Sequence, residues 1–215
     1  MTQQNETLDA AAVESIRSAY DTLAITYDCR WRRYTDRSLA KVMGILSLQG
    51  GERVLDVGCG TGELERRLLS RWPQLHVTGV DLSPNMLAQA RKKQLTGDVT
   101  WREGEVSQLP VPDQQFDLLI CANSFHYFRS PLDCLREFRR TLIPNGKLVL
   151  VDWCDDYLLC KLCGYWLTWT DPAFFGAYTM TACREMMREA GFDVAHSERF
   201  KVGWLWGMMM IVCTA

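Results

Sequence analysis

The sequence predicts a doubly wound α/β fold: a seven-stranded, mostly parallel sheet with an antiparallel last strand, an N-terminal helical extension and an aromatic lid insertion. Three observations support it. Short β-branched runs alternate with helical patterns from residue 51 onward. The run from Phe116 to Cys121 is almost continuously apolar, as a strand buried on both faces requires. A glycine-rich turn follows the first of these strands, at the point where such sheets place a ligand.

Along the chain, Val13, Ile16, Tyr20, Leu23 and Tyr27 recur at spacings of three and four and mark an amphipathic helix. The aromatic and basic stretch Trp31-Arg32-Arg33-Tyr34 leads to a second helical pattern over 39–48, ended by Gly50-Gly51. A strand is expected over 53–57, a helix over 63–72 and a strand over 76–80. Ser83 then offers an N-cap with Pro84 at the first helical position. Strands follow over 99–102 and 116–121, and Ser130-Pro131 opens a helix with Leu132, Leu135, Phe138 and Leu142 on one face. Pro144-Asn145-Gly146 turns into a strand over 147–152. Residues 153–178 are aromatic with little periodicity; Thr181 is expected to cap a helix closed by Gly191, before strands over 193–200 and 204–213.

The 215 residues suit one domain, read as a helical cap (1–50), a cofactor-binding core (51–153), an aromatic lid (154–178) and a closing helix with strands (179–215). Lys and Arg number 24 against 26 Asp and Glu, a net charge of −2 without a basic stripe, which argues against nucleic acid as a partner. The polar, acidic start shows no secretory pattern, so a cytoplasmic location with reduced thiols is expected. The longest apolar run, near 204–213, falls short of the ~20 residues of a membrane span.

The chemistry centres on Asp56-Val57-Gly58-Cys59-Gly60-Thr61-Gly62. Glycines at alternate positions let backbone approach a ligand closely, and the helix start that follows offers free N–H groups to an anion. Asp81 ends the next strand about 20 residues later, where an acid accepts from ribose hydroxyls. A purely structural turn and a capping Asp are the plain alternatives. Together the two features point to an adenosine-bearing cofactor. Spacing and charge choose which one. A dinucleotide fingerprint is G-x-G-x-x-G, whereas here it is G-x-G-x-G with Asp56 two residues ahead. A carboxylate there repels a pyrophosphate and suits an ammonium group, favouring S-adenosylmethionine over a nicotinamide cofactor.

The segment from Val54 to Gly62 resembles the first motif of class I S-adenosylmethionine-dependent methyltransferases, and Asp81-Leu82-Ser83-Pro84-Asn85-Met86-Leu87 the second. Gly104-Glu105-Val106, with Leu109-Pro110 and Phe116-Asp117, is similar to the third and fourth. The turn before the fifth strand is similar too, with Asn145 where glycine is usual. The resemblance, which is nearest to the small-molecule branch that includes quinone-ring methyltransferases, implies a Rossmann-like fold and methyl transfer that yields S-adenosylhomocysteine. It implies that Gly58, Cys59, Gly60 and Gly62 line the cofactor, Asp56 meets its ammonium group, and Asp81 its ribose. Leu82 and Met86 would flank adenine, Glu105 and Val106 would contact its edge, Asn123 would touch the methionine part, and Tyr20 and Tyr27 would close the site.

The acceptor side rests on less. His126, with Tyr127, follows the fourth strand and is the candidate base; a structural histidine is the alternative. Asp152, Asp155 and Asp156 follow the fifth strand, with solvated or capping roles favoured. Trp31, Tyr34, Trp153, Tyr165, Trp166, Trp169 and Tyr178 are the candidate acceptor-binding residues, implying a small apolar, aromatic or quaternary-ammonium-like acceptor. The aromatic segment reads alternatively as a patch covering the sheet or forming a homodimer. Cys154, Cys160 and Cys163 lack a fourth ligand for structural zinc, so no metal is expected. Rival readings are a non-catalytic module that keeps the cofactor fold and a nicotinamide-dependent reductase.

Overall fold

The computed structural model describes residues 3–170, 174–203 and 206–215. Two helices lead, α1 (Gln3–Leu23) and α2 (Tyr27–Ile45). The aromatic-basic stretch expected to separate two patterns is instead the first half of α2, because no Gly or Pro interrupts it. The alternation then runs β1 (Arg53–Val57), α3 (Glu63–Arg71), β2 (His76–Asp81), α4 (Pro84–Lys92), β3 (Asp98–Glu103) and β4 (Phe116–Ala122). A single 3₁₀ turn, Phe125–Tyr127, precedes α5 (Pro131–Thr141) and β5 (Leu142–Trp153). The chain closes with α6 (Leu158–Thr170), α7 (Met180–Glu189), β6 (Asp193–Val202) and β7 (Trp206–Thr214).

Strand order is β3-β2-β1-β4-β5-β7-β6, with β7 antiparallel to both neighbours and the other pairs parallel. Order reverses between β1 and β4, so a crevice opens beyond their carboxyl ends. Alternate strand residues feed two cores. Leu55, Leu119 and Leu150 meet Leu135 and Phe138 of α5 and Met187 of α7 on one face. Val54, Ile120 and Val149 meet Leu39 and Val42 of α2 and Leu64 and Leu68 of α3 on the other.

Local chemistry explains several ends. Ser83 Oγ accepts from Met86 N–H and caps α4, as expected. The N-cap of α7 is Thr179 rather than Thr181; its hydroxyl accepts from Ala182 N–H at 3.2 Å. Asn145 stands at φ +64°, a left-handed turn that Asn tolerates well enough to replace glycine. Two expectations are corrected. β5 begins at Leu142 rather than at 147, through an irregular start against Phe116. The aromatic segment contains a 13-residue helix, α6, which the lack of periodicity concealed. The expected strand start at Trp204 lies outside the described residues.

Candidate functional site

A cavity of about 310 Å³ opens at the switch point between β1 and β4. Its floor is the turn after β1, its sides the ends of β2 and β4, and its roof α1 and the start of α2. Of the thirteen expected cofactor residues, Tyr20, Tyr27, Asp56, Gly58, Cys59, Gly60, Asp81, Leu82, Met86, Glu105, Val106 and Asn123 line it. Gly62 does not: it is the N-cap of α3 and packs against Trp101 and Ala90 behind the turn.

Two glycines show why this turn needs its composition. At Gly58 (φ +74°) a Cβ would meet Ser124 Oγ at 2.6 Å, so β-carbon-free backbone is what lets the loops after β1 and β4 touch. At Gly60 (φ +53°) a Cβ would project into open space, leaving its backbone bare to the cavity. Gly60 N–H donates to Asp81 Oδ2 at 2.7 Å and Ser83 N–H to Oδ1 at 2.9 Å. A carboxylate has roughly four acceptor positions, so acceptor capacity remains for ligand hydroxyls. Burial pushes the Asp81 carboxyl up to about 6, although the N–H groups of Ser83 and Gly60 pull it down.

Asp56 is buried on the floor, and burial pushes it up to about 7. Overhead, Tyr20 packs edge-on against Tyr127 at 5.4 Å and lies 6.1 Å from Tyr27. Burial raises the Tyr20 and Tyr27 phenols, so these two rings stay neutral and can face a cation. The roof is latched: Asp21 Oδ1 accepts from Ser83 Oγ at 2.5 Å and from Asn85 N–H at 3.2 Å, and Arg17 pairs with Glu103 at 2.7 Å. Nothing in the sequence signals that latch, because the fold alone joins its partners, which lie 62 to 86 positions apart.

His126 is not among the lining residues, whereas its neighbour Tyr127 is. His126 is buried, its ring stacked on Trp153 at 4.3 Å, with Nδ1 2.6 Å from Asp152 Oδ1. Asp152 also accepts from the backbone N–H groups of Phe125, His126 and Trp153. Its expected solvated or capping role is therefore replaced by a buried one, since β5 extends to Trp153 and carries it inside.

None of the seven expected acceptor residues lines this cavity. Trp153 Nε1–H donates to Tyr34 Oη at 2.8 Å, and Tyr34 O–H donates to Asn123 Oδ1 at 2.8 Å. Asn123 Nδ2–H continues to Ser38 Oγ, so its side chain is spent on α2. Trp31 packs edge-on against Tyr34, and Tyr178 tilts against Phe125. Tyr165, Trp166 and Trp169 stand on the exposed face of α6, 64–79% accessible. The cavity's apolar lining comes from Val13, Ile16, Leu39, Leu64, Phe128 and Phe175 instead.

The strand order is the one that the resemblance to class I S-adenosylmethionine-dependent methyltransferases implies. Residues 54–146 match the methyltransferase domain family. The chain is 36% identical over 146 residues to a demethylmenaquinone methyltransferase of Deinococcus radiodurans, covering 64% of this chain and 57% of that protein. The chain thus spans less than two thirds of the length of the curated relatives it matches. Two solved structures share the fold. One is a complex between the Haloferax volcanii Trm112 methyltransferase activator and a methyltransferase (TM-score 0.79, 22% identity, 91% of this chain and 97% of that one). The other is Haemonchus contortus phosphoethanolamine N-methyltransferase 2 with phosphomonomethylethanolamine and S-adenosylhomocysteine (TM-score 0.75, 18% identity, 90% and 57%).

Proposed function

We propose that this protein moves a methyl group from S-adenosylmethionine to a small aromatic acceptor of the quinone-ring kind, leaving S-adenosylhomocysteine. The observation that carries the reading is the single cavity wall in which bare Gly60 backbone, Asp56 and Asp81 meet Tyr20, Tyr27 and Tyr127. The residues fit the cofactor: Asp81 has acceptor capacity left for a ribose, Leu82 and Met86 offer apolar walls to adenine, and Asp56 offers a carboxylate to an ammonium. When bound, the sulfonium supplies an activated methyl group and a good leaving group.

The chain's own task is positioning. Holding an acceptor atom in line with that methyl contributes up to ~7–11 kcal/mol. Latched to Ser83 and Glu103, α1 roofs the cavity. Tyr127 faces the cavity, while His126 and Asp152 behind it fix the turn that carries Tyr127. His126 O also accepts from the N–H groups of Phe175 and Gly176, tying that turn to the aromatic segment. This arrangement favours His126 as a positioning residue over a base in direct contact with acceptor. The quinone-ring class rests on the Deinococcus relative's name and on the apolar lining. Nine free thiols suit a reducing, cytoplasmic compartment.

Calorimetry with S-adenosylhomocysteine, followed by product release across demethylated naphthoquinols, catechols and amines, tests the reading. Binding with turnover on the quinol ring is expected. Binding with turnover on amines alone would overturn the acceptor class, and no binding would overturn the function.

A further inference from the structure

Glu65 has no part in the chemistry above, yet it is fully buried on the inner face of α3. Among the described residues no hydrogen-bond donor reaches either of its oxygens. Its polar neighbour is the carboxyl of Asp56, within hydrogen-bonding reach. Asp56 pairs with Gly79 across β1 and β2, and a Cβ on Gly79 would meet Glu65 Oε1 at 2.6 Å. The glycine thus leaves the space in which the two acids meet. Asp81, Cys59 and Cys121 face the pair from β2, the turn and β4, and none of them is a cation. Lys93, the cation on that side, is engaged by Asp28 at 2.8 Å, Thr61 at 3.2 Å and Glu63 at 3.7 Å. Two touching buried carboxylates without a cation cannot both be ionised, so a proton must lie between them.

We propose that Glu65 is the proton-carrying partner of Asp56: its O–H donates to the Asp56 carboxylate and holds it as an anionic floor on which the ligand's ammonium group docks. This rests on the reading above that the amino-acid end of the cofactor lies at Asp56. Burial raises both acids, Asp56 to about 7, so near neutral pH the free protein often carries a second proton on the pair. An arriving ammonium stabilises ionised Asp56; the second proton leaves to solvent and Glu65 keeps the first. Binding therefore releases a proton below about pH 7, tightens as pH rises, and levels off above it.

The test is calorimetry of the full chain with S-adenosylhomocysteine in two buffers of different ionisation enthalpy, between pH 6 and 8.5. The unaltered protein should release most of a proton at the acid end and almost none at the alkaline end, with affinity rising by up to about tenfold per pH unit below neutrality. Glu65→Leu removes the donor; it should weaken binding by about tenfold at pH 8 and move the release to higher pH. Glu65→Gln, whose amide N–H replaces the lost O–H, should recover both, an effect that titration of Asp81 would not produce. Binding without proton release, or a Gln variant as weak as the Leu variant, would overturn the proposal. Should the Leu variant not fold, the unaltered protein and the Gln variant decide. Absence of binding at every pH would instead remove the cofactor assignment itself.

Discussion

Two regions of this molecule are built from similar amounts of chain and behave in opposite ways. Around the turn after β1, polar groups are held inside: Asp56, Glu65 and Ser83 are buried next to a cavity. On α6, between β5 and α7, apolar groups are held outside: Leu158, Leu162, Tyr165, Trp166 and Trp169 are exposed along one stripe. The helix buries Cys160 and Gly164 instead, with Cys160 Sγ accepting from Gly207 N–H at 3.0 Å. Chemical character alone thus misplaces both regions. What decides is the space behind each element: β1 faces a crevice that admits a ligand, whereas α6 lies over Gly207, whose missing side chain takes the Tyr157 ring.

That contrast can be broken at several points. The largest effect is expected at Asp152, which accepts from three backbone N–H groups and from the His126 ring. Asp152→Ala should cost about 3–5 kcal/mol, read as a fall in denaturant midpoint, because a buried histidine and three N–H groups lose their acceptor. A loss below about 1 kcal/mol would mean that the turn carrying Tyr127 is held by other contacts. Next comes Asp81→Ala, which should weaken S-adenosylhomocysteine binding by tenfold or more, about 1.5–3 kcal/mol, while the fold persists; unaltered affinity would remove the ribose role.

A smaller effect follows from the buried acids. Burial raises Asp56 to about 7 and Asp81 to about 6, so between the ordinary carboxylate range and neutrality the folded chain binds more protons than the unfolded one. Stability therefore falls as pH rises through that window and goes on falling beyond it for as long as Glu65 keeps its proton in the folded chain. The melting temperature of the ligand-free protein should be higher at pH 6 than at pH 8 by several degrees, more than about 1 kcal/mol, and Asp56→Asn should make the trend shallower. The opposite slope would contradict the buried, proton-sharing state. The smallest effects belong to α6: Trp166→Ser and Trp169→Ser should change stability by no more than about 0.5 kcal/mol and leave cofactor affinity alone. A rise in the acceptor's Michaelis constant for either variant would restore α6 to the acceptor pocket.

Much of the cavity wall was legible in the residues because its geometry is local. Alternate glycines, an acid at a strand end and a Ser-Pro cap specify backbone shape within a few residues, and the structure brings them to one cavity. Gly62 departs from that pattern because, as the N-cap of α3, its space is filled by Trp101. Glu65 left a faint trace, a charged residue four before Leu69 on the apolar side of α3. The acceptor side was not legible, since an aromatic ring suits a core, a lid or a surface equally. Tyr34 and Trp153 became links in a hydrogen-bonded chain to Asn123, and Trp166 became surface.

By itself the sequence determined the alternation of strands and helices, the bare turn after β1 and the acids at its rim, because each depends on a handful of neighbouring residues. Only the tertiary structure decided that Glu65 meets Asp56, that His126 turns to Asp152, and that α6 shows its tryptophans to solvent. Those outcomes join residues separated by up to tens of positions. They depend on which element lies behind each side chain, a relation that periodicity along the chain does not encode.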